Sequence, residues 1–106
     1  NRTLTIMLTI NVPYKEGDII SFKLNSGEEI VGKFIKEDDN KFTVNNPLGM
    51  AMTQGGYGLA PYMMTVDPKQ PFTFRRDAVV AINKTVDDTA KSYIEATSGI
   101  QLGAAS

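Results

Sequence analysis

Apolar and polar residues alternate at period two along much of this chain, and the alternating runs are cut at short intervals by turn-forming sequences. Residues two apart share a face only when the backbone is extended, so this pattern selects strands over helices. Ile20, Phe22 and Leu24 alternate with Ser21, Lys23 and Asn25, and the run ends at Asn25-Ser26-Gly27, where the glycine can take the positive φ of a tight hairpin. Residues 29–36 resume the extended character with Ile30, Val31, Phe34 and Ile35. Gly32 interrupts them, as expected for a sharp bend or the close approach of another backbone. Glu37-Asp38-Asp39-Asn40 reads as a polar turn, and Phe42 with Val44 opens a further strand. Ahead of all these, Leu4, Ile6, Leu8, Ile10 and Val12 alternate with Thr3, Thr5 and Thr9, an extra N-terminal strand that Pro13 stops.

Leu48, Met50 and Met52 alternate again, Gln54-Gly55-Gly56-Tyr57-Gly58 can reverse the chain, and residues 59–66 return. A structureless loop of that length is uncommon in a compact domain, so residues 48–66 are read as an extended β-hairpin. After Asp67-Pro68-Lys69-Gln70-Pro71, two short strands at 72–75 and 78–82 flank Arg76-Asp77. Thr85-Val86-Asp87-Asp88 resembles a capping box with Asp in place of Glu. It opens a helix over 86–97 with Gly99 as its C-cap and a thin face of Ala90, Tyr93, Ile94 and Thr97. Strands first and one helix last, in 106 residues, predict a single mainly β domain: a small antiparallel barrel or sandwich.

The chain has no Cys and no His. Disulfide scaffolds, thiol catalysis, zinc ribbons, iron–sulfur ligation and His-dependent triads are thereby excluded, and no cofactor is expected. Eleven basic against twelve acidic side chains leave a net charge of −1, so general attraction to a polyanion cannot drive function and any nucleic-acid contact must be local. No apolar run approaches the roughly 20 residues needed to cross a bilayer, so no membrane partner is expected. The opening residues lack the apolar core of a secretory signal, and a cytoplasmic location is the expectation. Met7 is a candidate alternative start.

Paired acids occur at Glu28-Glu29, Glu37-Asp38-Asp39 and Asp87-Asp88, all in expected turns or at the helix start, where solvated acids are ordinary. Asp38, Asp39 and Asn40 offer oxygen ligands, but their spacing fits no EF-hand loop and no metal site is assigned. The Gly-rich segment at 54–58 lacks the Lys-Ser or Lys-Thr and the helix of a phosphate-cradling loop. Met50, Met52, Met63 and Met64 suit packing, subunit contact or an adaptable ligand surface. Phe74-Arg75-Arg76-Asp77 is the most informative stretch: two adjacent guanidinium groups in a tight connection can stack on a base or clamp a phosphate. They can equally pair with Asp77 or another nearby acid.

From residue 18 to residue 86 the chain resembles the Sm/LSm family. The first Sm motif is suggested by Ile20, Phe22 and Leu24, then Gly27, Gly32-Lys33-Phe34, Asp38, and Phe42 with Val44 before Asn45-Asn46-Pro47. The second is suggested by Phe74-Arg75-Arg76-Asp77-Ala78-Val79-Val80-Ala81-Ile82. The overall flavour is similar to divergent Sm-like proteins of marine cyanophages. The resemblance implies a strongly bent, SH3-like (Sm-like) antiparallel barrel over about residues 18–84, forming rings and binding RNA without catalysis. It places Asp38 at the family's acidic turn and Arg75 at its arginine. Asn40 stands near the base-reading position, and Arg76 replaces a glycine.

A separate physical argument also favours a ring. Residues 78–82 are uncharged and β-prone, with neither Lys nor Pro to discourage pairing at an edge. Head-to-tail pairing with a second copy closes into a cyclic homo-oligomer where the rotation permits. The expectation is therefore a ring that binds single-stranded RNA, with a role in RNA processing or regulation, and with Asp38, Asn40, Lys41, Arg75 and Arg76 at its rim. In that reading Arg75 stacks or contacts phosphate, Asn40 reads a base edge and Lys41 contacts backbone. The alternative is a structural or assembly module of a phage, on the same barrel, with the methionine-bearing hairpin as its docking surface.

Overall fold

The computed structural model describes residues 13–98. The expected N-terminal strand and the Gly99 cap lie outside them. The alternating runs become strands β1 (Ile19–Leu24), β2 (Glu29–Glu37), β3 (Lys41–Thr53), β4 (Gly56–Pro61), β5 (Phe72–Arg75) and β6 (Val79–Lys84), and the chain continues into one helix, α1 (Asp87–Thr97). They form a single antiparallel sheet of order β4-β3-β2-β1-β6. β5 joins on the first part of β3, pairing Lys41 with Arg75 and Val44 with Phe72, while β4 takes the later part from Leu48 to Thr53. The turn glycine at 27 has φ +108°, as its hairpin requires.

A closed barrel was expected, but the sheet stays open. Among the described residues no pairing joins β6 to β5 or β4. The 3-10 turn Arg76–Ala78 carries the chain from β5 to β6, which pairs with β1 and not with β5. Two further expectations need correction. The hairpin's return arm is Gly56–Pro61, beginning three residues earlier than read and stopping at Pro61, because Gln54-Gly55 alone makes the turn between the Thr53 and Gly56 pair. The capping box does not form: Val86 is the N-cap with no side-chain bond. Thr85, the residue after β6, bonds back to β1 instead: its N–H donates to Ile19 O (3.0 Å) and its hydroxyl meets Ser21 Oγ (2.8 Å). Asp87 and Asp88 remain favourably placed in the helix's first turn.

The main core lies on one face of the sheet and comprises Ile20, Phe22, Leu24, Ile30, Phe34, Phe42, Val44 and Val79. Its aromatic rings meet edge to face, Phe22 with Phe42 at 4.9 Å and with Phe74 at 5.1 Å. A smaller cluster of Val31, Leu48 and Tyr93, with Ile19, Met50 and Leu59 against it, joins the other face to α1. β3 serves both clusters because its register against β2 slips between Val31 and Lys33, where β3 carries an extra residue. Such a bulge transfers every later side chain to the opposite face, so Val44 points to the main core and Leu48 to the helix. Asn46 lies in the bulge at φ +49°, a conformation Asn tolerates better than most residues.

The Gly32 expectation is met as a close approach. A Cβ there would sit 3.2 Å from Val44 Cγ2 and 3.4 Å from the Asn45 carbonyl oxygen. At the same place Tyr93 reaches from α1 to donate its hydroxyl to the carbonyls of Asn45 and Asn46, each at 2.9 Å. Burial pushes this phenol up to about 12. Of the expected helix face, Tyr93 is buried and Ala90 and Thr97 are half-buried, but Ile94 is exposed. With only eleven residues, α1 therefore docks chiefly through one tyrosine. No helix among the described residues is long and apolar enough to cross a membrane.

Candidate functional site

Two turns that are distant in sequence meet at one rim of the sheet. The first joins β2 to β3. Asp38 builds it: its Oδ1 accepts the backbone N–H groups of Asn40 and Lys41, both at 2.8 Å, and the Asp38 N–H donates to Lys41 O at 2.9 Å. These two N–H donors, from Asn40 first and Lys41 second, hold the Asp38 carboxyl below the usual carboxylate range. Asp38 thus shapes the turn through one of its carboxylate oxygens.

The sign of this linkage is fixed by the depressed pKa. The capping interaction is fully present above the unfolded value of about 3.9 and is lost as pH falls through the lower folded value. In a carbon-detected titration, the Asp38 carboxyl is expected to show a midpoint below the unperturbed aspartate value of about 3.9. A midpoint at or above the unperturbed value would mean that the carboxylate does not cap the turn.

The second turn is Arg76–Ala78. Its Arg76 N–H donates to Asn40 O at 2.8 Å, which fastens it to the first turn. Between them lies a groove of about 270 Å³ lined by Asp39, Asn40, Arg75 and Asp77. Arg75 is well exposed and pairs with Asp77 at 3.0 Å, an ion pair in open solvent that water and salt weaken. The Asn40 side-chain amide has no hydrogen-bond partner among the described residues. Lys41 stands opposite Arg75 across the β3–β5 pair, with its side chain exposed.

Arg76 is placed differently from its neighbour. Its Nε donates to Glu37 Oε2 at 2.8 Å and its Nη1 to Val79 O at 3.1 Å, with about a third of the side chain accessible. Tyr14 donates its hydroxyl to the other oxygen of Glu37, and its ring meets Phe34 edge-on. Burial, and then Glu37, push the Tyr14 phenol well above its usual range.

Of the five residues read from the sequence, the structure therefore places Asn40 and Arg75 in the groove lining, sets Lys41 across the strand pair from Arg75, uses the Asp38 carboxylate to hold the turn and engages the Arg76 side chain with Glu37 and Val79 O. The reading missed Asp39 and Asp77 as lining residues, took Glu37 only as a solvated turn acid, and missed Tyr14 altogether. Of the two alternatives considered for the arginines, the free chain shows the ion pairing: Arg75 pairs with Asp77, and Arg76 with an acid 39 positions away. Among the described residues no three His, Cys, Asp or Glu side chains converge as metal ligands. The groove offers one guanidinium, one amide and two carboxylates, a set suited to hydrogen-bonding a polar planar ligand. No protein-family model matches this chain, and no curated protein matches it either.

Proposed function

We propose that the protein is an Sm-like, non-enzymatic ring subunit that binds single-stranded RNA at the rim groove. The observation that carries this reading is the Arg76 N–H to Asn40 O bond, which brings the two turns of the suspected Sm motifs side by side and leaves Arg75 and Asn40 facing one groove. The strand order β6-β1-β2-β3 with β5 beyond, and a 3-10 turn between β5 and β6, is read as the bent sheet of such a barrel. Arg75 stacks on a base or meets a phosphate, Asn40 reads a base edge and Lys41 contacts the backbone.

The ring rests on β6. It pairs with β1 on one side, and its other side has no partner among the described residues. Val80 is 61% exposed on this uncharged stretch, and the first cation, Lys84, comes only at its end, 3.9 Å from Asp18. Pairing with a second copy covers this edge and repeats Arg75 around an axis, supplying the local positive charge that a nearly neutral subunit lacks. Light scattering on untreated protein is expected to give a multiple of the 11.6 kDa chain. Titration with labelled oligo-U and oligo-A at low and moderate salt is expected to show saturable binding. A monomer at high concentration that takes up neither oligonucleotide would overturn the proposal.

One observation favours a second reading, an assembly module. No charged residue occurs between Lys41 and Asp67, and within that span Met52, Tyr57, Met63, Met64 and Val66 are exposed. Exposed apolar surface of this extent is a feature of docking sites. This reading is favoured if purified protein carries no nucleic acid and a partner protein is lost on deleting residues 49–64.

A further inference from the structure

We infer that Arg76 is a positioning residue, held by Glu37 and Tyr14, which decides that Arg75 alone of the two adjacent arginines is presented to the ligand. This inference rests on the reading of the rim groove as an RNA site. Arg76 has three anchors drawn from separate parts of the chain, one of them itself held by a fourth residue. Its N–H holds Asn40 O at 2.8 Å, its Nε holds Glu37 Oε2 at 2.8 Å, its Nη1 holds Val79 O at 3.1 Å, and Glu37 is held in turn by the Tyr14 hydroxyl. The guanidinium, a planar fork with donors in several directions, ties the end of β2 to the start of β6, while the Arg76 backbone N–H ties the same residue to the 38–41 turn.

Alternation along β5 does the rest. Phe74 is turned in toward the core and Arg75 out, and the 3-10 turn that begins at the next residue directs Arg76 to Glu37 and Val79 O, so that the Arg75 side chain is 83% exposed against 34% for Arg76. A bidentate donor locked in this way fixes the backbone from which Arg75 projects. Arg76 contributes orientation to the groove without touching what binds there.

The test uses the full chain and fluorescein-labelled hexauridylate over a series of NaCl concentrations. A residue that contacts phosphate lowers the slope of log affinity against log salt by about 0.7 when removed from a single-strand complex, whereas a positioning residue lowers affinity and leaves the slope alone. Arg76→Met and Glu37→Gln are each expected to weaken binding about tenfold at unchanged slope. The double variant is expected to lose little more than either single one, because both act through one contact. Arg76→Lys, which can still reach Glu37, is expected to recover part of the loss, and it remains informative if Arg76→Met does not fold.

A reduced slope in Arg76→Met or Arg76→Lys, or full affinity in Glu37→Gln, overturns the inference. Amide exchange at the Arg76 N–H supplies a readout independent of RNA and is expected to accelerate in Glu37→Gln. If the wild-type protein binds no oligonucleotide, the RNA reading falls, while unchanged exchange at Arg76 separately overturns the positioning role.

Discussion

Replacing Phe42 with alanine is expected to cost about 3–5 kcal/mol, the usual range for removing a buried aromatic ring. That is a large share of the roughly 5–15 kcal/mol that holds a typical domain together. Phe42 is fully buried, and its ring meets Phe22 at 4.9 Å and Phe34 at 5.7 Å. Its backbone pairs with β2 on one side and with Phe74 of β5 on the other, so no neighbouring loop is free to collapse into the void. Urea denaturation followed by circular dichroism measures the loss. The matched control is Met52→Ala at the hairpin, 74% exposed, where a change within about 0.5 kcal/mol is expected. Equal losses at the two sites would show that the core does not lie where this sheet puts it.

Arg75→Ala is expected to weaken oligo-U binding at least about tenfold, since stacking on an aromatic or guanidinium plane contributes roughly 1–3 kcal/mol per base. Thermal stability is expected to stay nearly constant, because the Arg75–Asp77 pair that is lost lies almost wholly in solvent. The combination is diagnostic: a binding residue separates affinity from stability, whereas a residue such as Phe42 does not. Binding that survives Arg75→Ala unchanged would remove this groove from consideration.

Much of the sheet was legible from alternation alone. Ile20, Phe22 and Leu24 fall on the core face as their spacing requires, and Asn25-Ser26-Gly27 turns where its glycine allows. The limits of that reading are physical. Phe42, Val44, Leu48 and Met50 form one even-numbered stripe in the sequence, yet the bulge around Asn46 splits them between two clusters on opposite faces. A bulge costs one residue and leaves no periodic trace, so the stripe misleads. Thr85 illustrates a second limit. A hydroxyl with the right spacing to cap a helix bonds to Ser21 instead, a choice made by strand pairing 64 positions away.

The candidate site divides in the same way. Asn40, Lys41 and Arg75 were visible because turns collect exposed polar residues and two adjacent arginines are uncommon in a tight connection. Their separation into one outward and one inward guanidinium was not visible. It depends on Glu37 and Tyr14, residues that carry no local signature and reach Arg76 only once the sheet has formed.

β3 forks along a single edge, giving its opening residues to β5 and its closing ones to β4, with Pro47 O accepting the Tyr62 N–H at 3.0 Å beyond the last β4 pair. Rim and projecting arm are consequently two branches from one stem that share no rung. Lengthening or grafting at Gln54-Gly55 alters the reach of the arm while the ladder beneath the arginine turn keeps its spacing. The molecule can therefore exchange what it touches at the tip without retuning what it holds at the rim.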